Sequence, residues 1–256
     1  MKLLYHTQVE RLTVFSTTRQ GGFSQGEYAT MNVNAYCGDD TSSVSANRAL
    51  LCQALSIDSN RLVIPHQTHQ TEVRLIDEEW LQQSSEQRQL DLEGVDALMT
   101  SEREVCIGVS TADCIPVVVY APDSHAVGVI HAGWRGTKDG IVEKTVDAMK
   151  TAFGCAEEQM ECYIGPGISV RHFEVGDEVY EAFREAGFPM DLIAEKHHKW
   201  HIDLKRCNRF QLERKGVASH HIHDCGICTY ADNSHYFSAR VQGIHSGRIF
   251  TGAVLR

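Results

Sequence analysis

Two stretches of this 256-residue chain hold side chains able to bind a metal or activate a nucleophile. Thr111-Ala112-Asp113-Cys114 stands directly before the apolar run 115–120. The run 126–131 leads through His131 into Ala132-Gly133-Trp134-Arg135-Gly136. If the two runs pair as strands around the turn at 122–124, Cys114 and His131 leave the hairpin at the same end. A thiolate and an imidazole within reach of each other make either a nucleophile pair or two ligands of a zinc ion. The plain alternative is a buried thiol beside a hydrogen-bonded core histidine. Pro65-His66-Gln67-Thr68-His69-Gln70 adds two histidines just after Leu62-Val63-Ile64. Two histidines and one thiolate leave the fourth tetrahedral position free, as in catalytic zinc centres. Spacing alone does not choose between His66 and His69.

These residues need a scaffold, and the hydrophobic patterning supplies one. Residues 104–109, 115–120 and 126–131 are rich in β-branched side chains and read as strands, the last two as a buried hairpin. Helices are predicted at 43–55, 140–153, 177–186 and 205–215, the last ending at Gly216. The polar segment 77–93 reads as an exposed loop or short helix. Strands and helices mix without regular βαβ alternation. The expected class is therefore α+β, with mixed and antiparallel sheets flanked by helices in a single domain over 1–256.

Composition narrows the function. Lys and Arg total 24 against 34 Asp and Glu, a formal charge of −10. So acidic a balance argues against nucleic-acid partners and against docking on anionic membranes. The first eight residues lack the apolar run of a signal peptide, and no apolar stretch approaches the roughly 20 residues of a membrane span. The expectation is a cytoplasmic protein, monomeric or homodimeric, acting on small molecules. Nine cysteines without a closely spaced framework read mostly as reduced, buried thiols.

Longer motifs add a resemblance. Ser16-Thr17-Thr18-Arg19-Gln20-Gly21-Gly22-Phe23-Ser24, Met31-Asn32-Val33-Asn34, Asn47-Arg48, Gln67-Thr68-His69, Asp96-Ala97-Leu98, Thr111-Ala112-Asp113-Cys114, His131-Ala132-Gly133-Trp134-Arg135-Gly136, Ile164-Gly165-Pro166-Gly167, Phe173-Glu174-Val175-Gly176 and Gly247-Arg248 together resemble the laccase-domain (YfiH-type) family, also called multicopper polyphenol oxidases. The resemblance spans nearly the whole chain. It implies a metal held by the histidine of Gln-x-His, the cysteine of Ala-Asp-Cys and the histidine of His-Ala-Gly-Trp, which fall on His69, Cys114 and His131. His66 is then a contact near the site.

The family's activities include copper-dependent laccases, purine nucleoside enzymes that phosphorolyse adenosine, inosine or methylthioadenosine and deaminate adenosine, and a branch tied to peptidoglycan-precursor editing. A multicopper oxidase needs a trinuclear cluster built from several His-x-His pairs. Among 14 histidines the sole such pair is His221-Ile222-His223. One site of a cysteine and two histidines suits zinc and hydrolytic or lytic chemistry, although copper also binds such donors. The expected reaction is attack on C6 of adenosine by a water activated at that site, together with phosphorolysis. Asp113 is the expected acid/base or orienting group, Arg48 the phosphate ligand, and Asn32, Glu174, Arg135 and His66 the substrate contacts. A laccase-type oxidase and a non-catalytic metal-binding module are the alternatives.

Several features carry less. Cys225-Gly226-Ile227-Cys228 has no second C-x-x-C and reads as buried thiols. His197, His198 and His201 read as a solvated stretch. Arg19 and Arg135 read equally as phosphate contacts or as partners of nearby carboxylates, and Trp134 as packing. Ser238-Ala239-Arg240-Val241 stands where the family has Ser-Tyr-Arg-Arg, and Ala231 where it has cysteine.

Overall fold

Strands buried on both faces occupy the middle of the molecule, which is why the sequence there runs apolar without alternating. The computed structural model describes residues 1–256. Its strands are β1 (Leu3–Val9), β2 (Leu12–Thr17), β3 (Leu62–Val63), β4 (Glu72–Leu75), β5 (Val95–Thr100), β6 (Cys106–Thr111) and β7 (Ile115–Ala121). They continue with β8 (Ala126–Ala132), β9 (Glu161–Ile164), β10 (Glu174–Val175), β11 (Ala194–Lys196), β12 (Trp200–Ile202), β13 (Ile222–Asp224) and β14 (Ile249–Leu255). Three sheets result: a five-stranded one in the order β1-β2-β14-β6-β3, a six-stranded one in the order β13-β9-β7-β8-β5-β4, and a small β10-β12-β11 sheet. Parallel and antiparallel pairs occur in both large sheets, so the α+β class with mixed sheets holds.

The period of two along each strand sorts the core into layers. From the six-stranded sheet, Ala97, Val117, Val119 and Ile130 pack with Val142, Val146 and Met149 of the helix Ile141–Phe153 and with Cys207 and Leu212 of the helix Leu204–Arg214. Their neighbours Leu98, Val118 and Val129 face the opposite way, against Leu12, Val14, Ile107, Val109 and Ala253 of the five-stranded sheet. The outer face of that sheet, with Phe15, Phe250 and Val254, is covered by Leu51 and Leu55 of the helix Thr41–Leu55. The stack is therefore helix, sheet, sheet, helix. Each fully buried Val, Leu, Ile or Phe contributes roughly 1.5–3 kcal/mol. No helix is long and apolar enough to cross a membrane.

Element boundaries differ from expectation where a single residue decides them. The first helix starts at Thr41 rather than 43 because the Asp40 carboxylate accepts from the Ser43 N–H at 2.8 Å and caps it. Strand β6 begins at Cys106 rather than 104 because Glu104 has φ +59°, outside the extended region. Segment 77–93 contains two short helices, Glu78–Leu81 and Ser85–Asp91, capped by Asp77 and Ser84.

Of the four connections that link the two large sheets, two carry the donor residues. Residues between β3 and β4 make one crossing, and residues 112–114, between β6 and β7, make the other. Each contains a non-glycine residue in the left-handed region, His69 at φ +63° and Asp113 at φ +86°. Such backbone costs on the order of 1–3 kcal/mol and persists only where its surroundings enforce it.

Candidate metal centre

Both crossings deliver a donor to one point. Residues His69 and Cys114 meet His131, which ends the β8 side of the hairpin, where Pro116 pairs with His131. One donor atom from each of the three lies within 4.8 Å of the others, and no other such group of histidine, cysteine and acidic side chains forms in the molecule. Gly133 lies two residues beyond His131. A Cβ there would lie 2.9 Å from His69 Cδ2 and 3.1 Å from Cys114 Sγ, so the absent side chain leaves the space the donors surround.

Asp96 holds the arrangement together. It is the one charged residue in the otherwise uncharged, wholly buried strand β5, and is 0% exposed. Its Oδ1 accepts from His131 Nδ1 at 2.6 Å and from the His69 N–H at 3.1 Å. Its Oδ2 accepts from the N–H groups of Gln70 at 2.8 Å and Thr68 at 3.2 Å. One carboxylate thus fixes the ring of one donor, leaving its Nε2 for a metal, and the backbone turn that presents another. Gln67 clamps the same turn to β6, donating to the Ser110 carbonyl at 2.9 Å and accepting from its N–H at 2.8 Å. A carboxylate in an apolar strand is the sequence signal for Asp96, to which the motif Asp96-Ala97-Leu98 by itself assigns no role.

The electrostatics favour charged donors. Burial pushes the Cys114 thiol up, but the adjacent His131 charge and hydrogen bonds from His131 and His69 outweigh it and bring the thiol down to about 6. Burial likewise works against the His131 cation, yet Cys114 and Asp96 raise it to about 9. Asp96 stays below the usual carboxylate range despite its burial, because His131 and the N–H groups of Gln70 and Thr68 stabilise its charge. A thiolate and neutral, oriented imidazoles are the forms that bind zinc or copper, so metal binding at this centre displaces the proton that His131 holds in its absence. His69 is exposed, Cys114 half-buried and His131 buried, so the group opens on one side.

That side faces a cavity of about 370 Å³. Its walls include Tyr36 and His66, stacked with ring centroids 4.2 Å apart. His66 Nδ1 is 2.8 Å from the Glu93 carboxylate, which leaves Nε2 free. Arg248 also lines the cavity. Its guanidinium is held by the carbonyls of Ile244, Ser246 and Gly247 and has no carboxylate partner. Ser110 and Thr111, 5% and 1% exposed, also line it, and their buried hydroxyls have no hydrogen-bond partner. None of these three was given a role from the sequence, although Thr111 opens the Thr-Ala-Asp-Cys motif.

Other expected residues lie elsewhere. Asp113 turns its carboxylate away from the cavity, accepting from Thr229 Oγ1 at 2.7 Å and the Arg240 N–H at 2.8 Å; it anchors the crossing that carries Cys114. Asn32 is fully buried, its amide spent on Asn34, Asp39 and the Arg248 N–H. Glu174 pairs with Lys199 at 2.9 Å. Arg135 lies over Trp134, 4.3 Å from the ring centroid, rather than on a carboxylate. Arg19 donates to the carbonyls of Ala29 and Asn233. Arg48 donates to the Val33 carbonyl at 2.8 Å and faces a different cavity. Cys225 and Cys228 are half-buried rather than buried. Ala239, where the resemblance has tyrosine, gives the metal cavity only a methyl.

Comparison with known proteins follows the same lines. Residues 13–256 match the family described as "Multi-copper polyphenol oxidoreductase laccase". A protein of Bacteroides thetaiotaomicron named "Purine nucleoside phosphorylase" is 48% identical over 244 residues, covering 94% of this chain and 90% of the relative. "Adenosine deaminase RL5", from an unknown prokaryotic organism, is 39% identical over 254 residues, covering 98% and 97%. The crystal structure of YlmD from Geobacillus stearothermophilus superposes with a TM-score of 0.90 at 30% identity, over 96% of this chain and 93% of that one.

Proposed function

The chain belongs to the family described as multi-copper polyphenol oxidoreductase laccase, and from that premise we propose that it is a zinc-dependent purine nucleoside enzyme. It deaminates adenosine and phosphorolyses adenosine, inosine or methylthioadenosine at the His69, Cys114, His131 centre. The observation that carries this reading is one open three-donor group at the wall of a cavity that also holds an uncompensated cation and two unpartnered hydroxyls. A four-copper oxidase needs more clusters than the donors here assemble. The names of the relatives favour nucleosides as substrates.

The donor set fits zinc: one thiolate, two imidazoles, a carboxylate behind one ring and room for an exogenous ligand. Zinc bound there supplies Lewis acidity at neutral pH. The protein's own groups do the rest. The Tyr36–His66 stack offers a flat wall for a purine ring. Glu93 holds the proton on His66 Nδ1, so Nε2 exchanges protons with water or with the departing base. Arg248 takes the phosphate that attacks C1′, since a guanidinium anchored by carbonyls keeps its charge for an anion. Ser110 and Thr111 donate to phosphate or ribose oxygens. Asp113 and Asp96 position Cys114, His69 and His131. Deamination of adenosine consumes water and releases inosine and ammonia; phosphorolysis consumes phosphate and releases the free base and ribose 1-phosphate, or 5-methylthioribose 1-phosphate from methylthioadenosine.

The test combines metal analysis with adenosine turnover on one untagged, chelator-free preparation. About one zinc per chain, ammonia release and phosphate-dependent ribose 1-phosphate are expected. Arg248→Ala should raise the KM for phosphate and spare deamination. Several tightly held coppers per chain without nucleoside turnover would overturn the reading in favour of the oxidase.

A further inference from the structure

A second cavity, of about 600 Å³, shares Tyr36 with the metal cavity and no other lining residue. Its size falls in the range that houses small-molecule ligands. Arg48 and Arg88 both line it, and no aspartate or glutamate does. Backbone carbonyls hold both guanidiniums: Arg48 Nε donates to Val33 at 2.8 Å, and Arg88 Nη1 donates to Asn60 at 3.1 Å. Their charges are thereby oriented without being neutralised. In a chain of net charge −10, two cations gathered without an acid run against the overall field. Trp80, only 5% exposed, walls the same space, and its indole N–H has no partner. A buried donor left unsatisfied is costly, and natural proteins rarely keep one without reason. Arg88 lies over that indole, 5.6 Å from the centroid, and Leu62, Ile64 and Leu92 complete an apolar side.

We propose that this cavity binds a small phosphomonoester with an aromatic body, such as a nucleoside monophosphate. The two guanidiniums match a dianion, and each is able to bind phosphate oxygens in pairs. The body lies against Trp80 and the aliphatic wall. This site is separate from the metal centre, and the proposal stands whether or not adenosine is turned over there. A ligand in it touches Tyr36, whose ring stacks on His66 in the neighbouring cavity.

Isothermal titration of adenosine 5′-monophosphate into the full-length, metal-replete protein tests the assignment. Saturable one-site binding is expected, weakened by salt and weaker for inorganic phosphate, which has no body. Arg88→Gln should weaken it about tenfold or more, the effect of losing a hydrogen bond to a charged group. Gln89→Glu, which adds a carboxylate to the same wall, should act in the same direction. Arg248→Ala, in the metal cavity, should leave the affinity unchanged. Melting curves establish that the variants are folded. Unchanged affinity in folded Arg88→Gln and Gln89→Glu would overturn the proposal, as would no binding at all. Loss confined to Arg248→Ala would place the ester in the metal cavity instead. Equal affinity for phosphate and the nucleotide would remove the aromatic body from the assignment.

Discussion

Two histidine–carboxylate pairs border the same cavity and differ mainly in burial. His131 and Asp96 are 3% and 0% exposed at the side chain, with Nδ1 and Oδ1 2.6 Å apart. His66 and Glu93 make a comparable contact of 2.8 Å at 35% and 61% exposure. In the first pair the carboxylate also collects three backbone N–H groups, so it is a structural hub. In the second, Glu93 has water as an alternative partner, and the pair is worth little to stability. The same pairing of imidazole and carboxylate thus forms a rigid, buried support for the three-donor group in one place and an exposed, solvent-accessible pair in the other.

Asp96→Asn should break the comparison most severely. It removes the charge facing His131 and turns amide hydrogens toward backbone donors. A loss of roughly 10–100-fold in metal affinity and of about 3–5 kcal/mol in the stability of the folded chain is expected, read by chelator competition and thermal melting. Full metal content in this variant would show that Asp96 does not support the centre. Next in size, Gly133→Ala places a methyl within 2.9 Å of His69 and should lower metal affinity while the fold survives. Metal-binding isotherms measure it, and wild-type affinity would remove Gly133 from the site.

Glu93→Gln should leave metal content and melting temperature within error, because an exposed pair contributes about 0–1 kcal/mol. Deamination should still slow by about tenfold, as His66 loses the group that holds its tautomer; oriented proton transfer contributes roughly 10²–10⁴-fold in all. An unaltered rate would return His66 to a wall residue.

The last contrast involves a histidine with no carboxylate of its own, away from the centre. His6 bonds the Ser16 hydroxyl at 2.8 Å. Burial first, and then the Lys205 charge, lower its pKa to about 4. Its unfolded value is higher, so the unfolded chain binds more protons between about pH 6.5 and 4. Stability should therefore be complete above pH 6.5 and fall on acidification through that window, by up to about 3 kcal/mol. His6→Asn should flatten that slope in denaturation series, and an unchanged slope would assign it to other groups. At His6 burial and a nearby cation lower a histidine; at His131 the anionic partners Cys114 and Asp96 reverse the sign.

Much of this was legible in the chain. The hairpin of β7 and β8 follows from two β-branched runs around Pro122-Asp123-Ser124, and local spacing alone brings Cys114 and His131 to one end. The principal helices follow from hydrophobic periodicity, the first and last starting two and one residues earlier than expected where Asp40 and Asp203 cap them. Local pattern had no means of choosing between His66 and His69. They lie three and six residues beyond β3, and what separates them is the left-handed turn at His69, imposed by an aspartate 27 residues away.

Sequence by itself determined the strand and helix types, the three segments that carry donors and the acidic surface, because each depends on neighbouring residues and on composition. Tertiary structure decided which side chains meet at the centre, that Arg248 rather than Arg48 lines the metal cavity, and that Asn32 and Asp113 spend their polar groups on the scaffold. Those outcomes depend on where two crossings between sheets converge. Such convergence is a property of long-range packing, which no local pattern encodes.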